Sequence, residues 1–241
     1  MKTAAEKNTL SYALLLTCEH AGNKIPREYA ALFKGAEDVL ATHRGWDPGA
    51  LDFVRSVSRS LHTPFLHVLW SRLLVESNRA QTNSRIWSRF TKNLPIKERK
   101  KILEKYWWPN RRAVESAVRD AVKQGKTVVH IAIHSFTPVL DGEERNTDLA
   151  LLYDPARPAE KAMCVHWEKI LNEIEPGMRV RRNYPYRGHS DGLPTWLRRK
   201  FPARSYIGVE FEFNQGLIGT PGFARAKKVV ADSIGALLKD M

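Results

Sequence analysis

Cysteine is scarce in this sequence. Only Cys18 and Cys164 occur among 241 residues, and they stand far apart without a CxxC spacing around either. This scarcity excludes a disulfide scaffold and a cysteine-based zinc knuckle, because both need several thiols at short spacings. It also favours a reducing compartment, so we expect a cytoplasmic protein.

Long hydrophobic runs are lacking as well. The apolar run over residues 12–16 is too short for the core of a signal peptide, and Glu6 and Lys7 precede it. No stretch approaches the roughly 20 apolar residues of a membrane-spanning helix. We therefore expect a soluble chain without a membrane partner, and a flexible N-terminal extension over residues 1–10.

Acidic residues are fewer than basic ones. The sequence has 26 Asp and Glu against 39 Lys and Arg, a net charge of +13. Such an excess raises nucleic acid as a partner. However, the sequence has no RNP motif, helix-turn-helix signature, zinc finger or aromatic–basic repeat. We therefore expect a small anionic substrate instead, and keep a non-catalytic, basic nucleic-acid-binding protein as the alternative.

Strand-like and helix-like segments alternate along the chain. The apolar patterns predict strands over 12–18, 63–70, 126–136, 148–154, 177–183 and 204–214. They predict helices over 26–33, 47–61, 96–125 (interrupted near Pro109), 158–174, 193–201 and 221–241. This order predicts an α/β fold, with a mostly parallel central sheet flanked by helices, in a single domain over residues 1–241.

Histidines stand at the ends of two predicted strands, where an open α/β sheet gathers its reactive groups. His20 follows the first strand and His134 ends the third, so we expect both to bind one zinc ion. Asp47, at a helix start, is our choice for the third ligand. Glu19 is the competitor, and His43 remains possible as a ligand or as a partner of one.

Two glutamates alternate with phenylalanines in the last strand. Glu210 and Glu212 therefore share one face, with Phe211 and Phe213 on the other. Buried carboxylates are costly unless they are paired or bind a metal. We expect one of them to act as general base, and prefer Glu212 because it lies nearer the end of the strand.

Two loops supply candidate substrate-binding groups. Asn78 and Arg79 follow the second strand, where an arginine fork suits a substrate carboxylate. Asn183 and Arg187 lie in the segment NYPYRGHSDG, which resembles a pocket-lining loop. We expect all four residues to bind substrate. We also expect His130, deeper on the third strand than His134, to be a buried, hydrogen-bonded histidine.

Six segments together resemble the N-formylglutamate amidohydrolase family. These segments, in order, are CEHAGNKIP, HRGWDPGA, SRLLVESNR, HSFTP, NYPYRGHSDG and GVEFEFNQG. The resemblance implies a fold similar to zinc-dependent carboxypeptidases and aspartoacylase-like deacylases. It also implies hydrolysis of the amide bond of an N-formyl or N-acyl amino acid, such as N-formylglutamate, by a zinc-activated water.

The resemblance extends to individual positions. His20 and His134 fall on the family's metal positions, Asp47 on the acidic position between them, and Glu212 on its catalytic glutamate. Arg79 and Asn183 also fall on family motifs. Two positions depart from the pattern, since Glu76 replaces an aspartate and Gln215 replaces an arginine that many members carry. A peptidoglycan or peptide amidase with the same zinc architecture is the alternative enzyme.

Overall fold

The computed structural model describes residues 11–241, and the extension predicted over residues 1–10 lies outside the described residues. A six-stranded sheet forms its centre. Its strands are β1 (Tyr12–Cys18), β2 (Phe65–His67), β3 (Thr127–Phe136), β6 (Leu149–Leu152), β7 (Val180–Arg182) and β8 (Tyr206–Asn214). Two further short strands, β4 (Val139–Leu140) and β5 (Glu143–Glu144), pair separately as an antiparallel hairpin.

The strand order across the sheet is β2-β1-β3-β8-β6-β7. The first four strands run parallel, β6 pairs antiparallel with β8, and β7 runs parallel to β6. Every residue of the central strand β3 is buried, as expected for a strand covered on both faces. The predicted mostly parallel α/β sheet is therefore confirmed.

Helices cover both faces of the sheet. The α-helices of the described residues are α1 (Glu37–Ala41), α2 (Ala50–Ser60), α3 (Ile96–Ile102), α4 (Trp108–Lys123), α5 (Pro158–Ile174), α6 (Leu193–Arg198) and α7 (Pro221–Asp240), of which α1 and α3 pack in a separate apolar cluster. Side chains of α2, α5 and α7 join one apolar core against the sheet, and those of α4 and α6 join another. Phe53 of α2 stacks on Phe213 of β8, with ring centroids 4.6 Å apart. None of the helices within residues 11–241 is long and apolar enough to cross a membrane.

The long helical segment is irregular near Pro109, where the sequence predicts an interruption. The irregularity is a π-helical turn, Leu103–Trp107, through which α3 passes directly into α4. Pro109 is the second residue of α4, and a proline ring crowds the preceding turn of a regular helix. The wider turn relieves that crowding, so the helix changes its pitch and continues.

Candidate active site

Neighbouring parallel strands bring the two predicted histidine ligands together. His20 follows β1 by two residues, and His134 lies near the end of β3, which is paired with β1. Their ring centroids are 5.1 Å apart, and both side chains are buried. The carboxyl ends of β1 and β3 meet at the same sheet edge, which is where α/β folds place their sites.

Asp47 reaches this edge from the turn that precedes α2. Its backbone N–H donates to the carbonyl oxygen of His20 over 3.0 Å, which ties the turn to the end of β1. Gly49 follows with a φ of 79°, and a Cβ there would lie 3.0 Å from Ile218 and 3.1 Å from Phe213. The turn therefore requires glycine at this position to aim Asp47 at the histidines.

The three side chains form a compact donor cluster. Asp47 Oδ2 lies 2.8 Å from Nδ1 of His134 and 3.3 Å from Nδ1 of His20. One donor atom from each residue lies within 4.8 Å of the other two. Two imidazole nitrogens and a carboxylate oxygen match the protein ligands of many catalytic zinc sites. His20, Asp47 and His134 can therefore hold a metal ion.

The outer nitrogens of both histidines also meet carboxylates. Nε2 of His134 pairs with Glu19 Oε2 at 3.0 Å, and Nε2 of His20 pairs with Glu76 Oε1. Such contacts fix the tautomer of a ligating histidine and raise its basicity. Glu19 therefore occupies the far side of His134, and the geometry favours Asp47 over Glu19 as the third ligand.

Electrostatics around the cluster favour a cation. Burial opposes the ionisation of Asp47, but His20 and His134 hold its pKa well below the usual range. Burial likewise opposes the charge on Glu19, yet its hydrogen bond to His134 brings the pKa to about 2. Burial disfavours the His134 imidazolium, but Asp47 and Glu19 together raise its pKa well above the ordinary value. The surrounding carboxylates therefore stabilise positive charge between them.

Sequence reasoning assigned no chemical role to Arg72 or Glu76, and the structure joins both to the cluster. Arg72 Nη1 donates to Asp47 Oδ1 over 3.2 Å, and its guanidinium pairs with Glu76 Oε2 at 2.7 Å. Burial opposes ionisation of Glu76, but Arg72 and His20 hold its pKa well below the usual range. Their position just after β2, four residues apart, is the signal that could have identified them.

Glu212 lies beside the cluster on β8. It is in direct register with His134 of β3, and its Oε2 has no hydrogen-bond partner among the described residues. Burial raises the pKa of Glu212 to about 8; His134 opposes the shift, and Asp47 and Glu210 add to it. A carboxyl group poised in this way can take up and release a proton near neutral pH.

A cleft of about 400 Å³ opens above these residues. It is lined by His20, Asp47, Arg72, Asn78, Arg79, His134, Ser135, Leu152, Pro185, Tyr186, Arg187, Ser190, Asp191, Glu210 and Glu212. Arg79 donates to the carbonyl oxygen of Asp191. Arg187 donates no side-chain hydrogen bond to another of residues 11–241, so its guanidinium is open to a ligand.

The two predicted asparagines use their side chains within the protein. Asn78 donates to Glu210 Oε1 over 2.8 Å and accepts from the backbone N–H of Leu193 over 2.7 Å. Asn183 lies outside the cleft lining, and its Oδ1 accepts from the backbone N–H groups of Tyr153 and Gly188, both at 3.1 Å. Asn78 thus shapes the cleft wall from within it, and Asn183 shapes the loop that carries Arg187.

The two remaining histidine candidates, His43 and His130, differ in burial, and neither belongs to the donor cluster. His43 is exposed and belongs to neither the donor cluster nor the cleft lining. His130 is fully buried, with Nε2 2.9 Å from Thr17 Oγ1 and Nδ1 2.6 Å from the Tyr206 hydroxyl. Tyr186, in the loop that carries Arg187, lines the cleft and accepts a hydrogen bond from Arg145 over 3.0 Å.

Comparison with known proteins places the chain in a family. The family model for N-formylglutamate amidohydrolase matches residues 12–219. A gene product of Agrobacterium tumefaciens has a similar structure, with a TM-score of 0.80 and 29% identity over 94% of this chain and 90% of that one. An N-formylglutamate amidohydrolase from Ralstonia eutropha has a TM-score of 0.72 and 17% identity over 96% and 94% of the two chains. No curated protein matches the sequence. The chain therefore belongs to the N-formylglutamate amidohydrolase family of amide-bond hydrolases.

Proposed function

We propose that this protein hydrolyses the amide bond of an N-formyl or other N-acyl amino acid, with one zinc ion held by His20, Asp47 and His134. Family membership supports the amide chemistry. The observation that carries the proposal is the buried, unpartnered oxygen of Glu212 beside the donor cluster. A general base next to an imidazole–carboxylate metal site suits the hydrolysis of an amide by a metal-activated water.

The donor set fits zinc. Neutral imidazole suits zinc, and the outer carboxylates Glu19 and Glu76 would keep both Nδ1 atoms free to bind it. When bound, zinc supplies Lewis-acid polarisation of a carbonyl group and lowers the pKa of water. Arg72 holds Asp47 in place through its other carboxylate oxygen, Oδ1.

Glu212 provides the proton transfers. Its Oε2 accepts a proton from the attacking water, and the same oxygen then delivers the proton to the departing amine nitrogen. Burial has already raised the pKa of Glu212 to about 8, so its ionised and protonated forms differ by only about 1 kcal/mol at pH 7, and both forms are accessible. Glu210 is a weaker candidate for this role, because its Oε1 already accepts from Asn78.

Arginines of the cleft support a substrate that carries a carboxylate. Arg187 has an open guanidinium and Arg79 lines the same wall, so both can bind a substrate carboxylate. Asn78 supports that wall, and Asn183 orders the loop that carries Arg187. A cleft of about 400 Å³ suits a small N-acyl amino acid better than a cross-linked peptide.

The test is a screen of N-formyl and N-acetyl amino acids with the zinc-loaded protein, followed by the variant Glu212→Gln. We expect turnover of a carboxylate-bearing substrate, and a loss of kcat of about 10²- to 10⁴-fold in Glu212→Gln, because glutamine cannot accept the proton. The zinc content should remain unchanged.

Glu210→Gln is the matched comparison, since it alters the neighbouring carboxylate on the same strand face. It should lower kcat far less than Glu212→Gln does. Full activity of Glu212→Gln would remove Glu212 from the mechanism. Turnover of peptidoglycan fragments alone would favour the peptide amidase, and salt-dependent binding of DNA or RNA without any bound metal would favour the nucleic-acid-binding alternative.

Two wider proposals accompany this function. We propose that residues 1–241 act as one domain and that the protein works in the cytoplasm. Cys18 and Cys164 are both buried free thiols, which is consistent with a reducing compartment.

A further inference from the structure

Arg111 of α4 is a buried cation outside the donor cluster. Its side chain is fully buried, and no carboxylate within residues 11–241 forms an ion pair with it. Its guanidinium carbon lies 4.7 Å from the ring centroid of Trp107 and 5.3 Å from that of Trp196. Burial of this charge is destabilising, and the two indole rings, the hydrogen bonds of Arg111 and nearby carboxylates, Glu19 foremost, offset the cost.

Those hydrogen bonds all go to one short backbone segment. Arg111 Nη2 donates to the carbonyl oxygens of Ser77 over 3.1 Å and of Arg79 over 3.0 Å. Trp107 Nε1 donates to the same Arg79 carbonyl over 3.1 Å. Nε and Nη1 of Arg111 have no partner among the described residues. The side chain therefore makes its direct polar contacts with the backbone of residues 77–79.

That segment carries groups of the cleft. Asn78 and Arg79 both line the cleft, and Asn78 donates a hydrogen bond to Glu210. Glu76, immediately before the segment, pairs with His20. Arg111 itself lies behind this wall and does not line the cleft. A shift of the segment would move the Arg79 guanidinium relative to the donor cluster.

We propose that Arg111 is a positioning residue, which fixes the Arg79 guanidinium in the cleft by donating hydrogen bonds to the carbonyl groups of Ser77 and Arg79. The inference rests on the proposed function, because it gives Arg79 the task of binding the substrate carboxylate. We expect Arg111 to act on substrate binding and not on the proton transfers, because its hydrogen bonds go to the backbone of Ser77 and Arg79 and not to Glu212.

Arginine is the residue type that this position needs. Burial lowers the pKa of Arg111 to about 10, so the side chain keeps its charge at neutral pH. Its planar guanidinium can lie between two indole rings and still reach two carbonyl oxygens. A lysine has a compact ammonium group without a flat face. Arg111→Lys should therefore retain only part of the function that Arg111→Met loses.

The test compares the kinetics of Arg111→Met and Arg111→Lys with those of the wild type. We expect Arg111→Met to raise KM for a carboxylate-bearing N-acyl amino acid by about 10- to 100-fold, because small displacements of a binding group are costly. Its kcat should stay close to the wild-type value, and Arg111→Lys should fall between the two. The same substrate with its carboxylate capped as an amide should show almost no change in KM.

Two controls separate positioning from stability. Val114→Ala removes a fully buried side chain from the next turn of α4, so it lowers stability without touching the segment. Arg119→Met removes an exposed arginine from the same helix. Both should keep the wild-type KM. In an Arg79→Met background, Arg111→Met should raise KM little further, since the two residues act through one contact.

An unchanged KM in Arg111→Met, or an equal rise in Val114→Ala, would overturn the proposal while leaving the proposed function intact. If the wild type turns over no N-acyl amino acid, the proposed function fails, and calorimetry with N-acetylglutamate decides the role of Arg111. Weaker binding in Arg111→Met than in wild type supports positioning. Equal binding, or none by the wild type, overturns it.

Discussion

At the scale of single residues, each histidine of the donor cluster uses both of its ring nitrogens. Nδ1 of His20 and of His134 faces Asp47, while Nε2 of each meets a second carboxylate, Glu76 or Glu19. A carboxylate hydrogen-bonded to the outer nitrogen fixes the tautomer of the histidine and strengthens the inner nitrogen as a metal ligand. The metal affinity of the cluster should therefore depend on residues that do not bind the metal.

Neutralising either outer carboxylate should weaken zinc binding. Glu19→Gln and Glu76→Gln keep a hydrogen-bond acceptor but lose the charge, so we expect zinc affinity to fall by about 10- to 100-fold in each. Competition with a chelator of known affinity measures the Kd. Glu104→Gln, which alters an exposed ion pair with Arg112, is the matched control and should leave the Kd unchanged. A wild-type Kd in both Glu19→Gln and Glu76→Gln would show that these carboxylates do not tune the histidines.

Sequence reasoning identified the members of the donor cluster but not their contacts. His20 and His134 could be found because strand ends in an α/β order predict a shared edge. Glu19 remained a rival ligand, because the sequence does not tell which side of His134 a neighbouring carboxylate will approach. Asn183 drew attention as a polar loop residue, but its position outside the cleft lining depends on how the loop folds back on β6.

At the scale of elements, His130 links three strands. It lies on β3 and meets Thr17 of β1 and Tyr206 of β8, with all three side chains fully buried. Burial lowers the pKa of His130 to about 4, so the fold contains the neutral imidazole. The stability of the central strands is therefore sensitive to acid at His130, which lies deeper in the sheet than the donor cluster.

This sensitivity predicts a pH dependence of stability. Because the pKa of His130 is about 4 in the fold and 6.5 ordinarily, the unfolded chain binds more protons between these values. The contribution of His130 to the free energy of unfolding is complete above pH 6.5. It is lost as the pH falls towards 4, by up to about 3 kcal/mol. Chemical denaturation at pH 7 and pH 4.5 should show a larger loss for wild type than for His130→Gln. An equal loss of stability in wild type and His130→Gln would contradict this assignment.

The apolar patterns located the elements better than they described their form. β1 and α5 have the predicted bounds, since a charged residue follows each element and a proline begins α5. The π-helical turn before α4 was missed, because a proline in a helical pattern predicts an interruption and not its geometry. The reversed direction of β6 was also beyond the sequence, because alternation of strands and helices leaves the direction of each strand open.

At the scale of the whole molecule, the sheet order assembles residues from distant parts of the chain. β1, β3 and β8 lie side by side, so His20, His134 and Glu212 project from one edge. The chain carries a net charge of +13, yet the side chains around the donor cluster are mostly carboxylates. Short-range contacts outweigh distant screened charges, so a dication is favoured there despite the basic exterior.

The zinc content of the purified protein, compared with that of His134→Ala, tests the central claim most directly. After loading with zinc and exhaustive dialysis, elemental analysis should find close to one zinc per wild-type chain. His134→Ala should retain almost none, because removing one of three protein ligands leaves a weak pair. Equal zinc in both proteins, or none in the wild type, would contradict a metal centre at His20, Asp47 and His134.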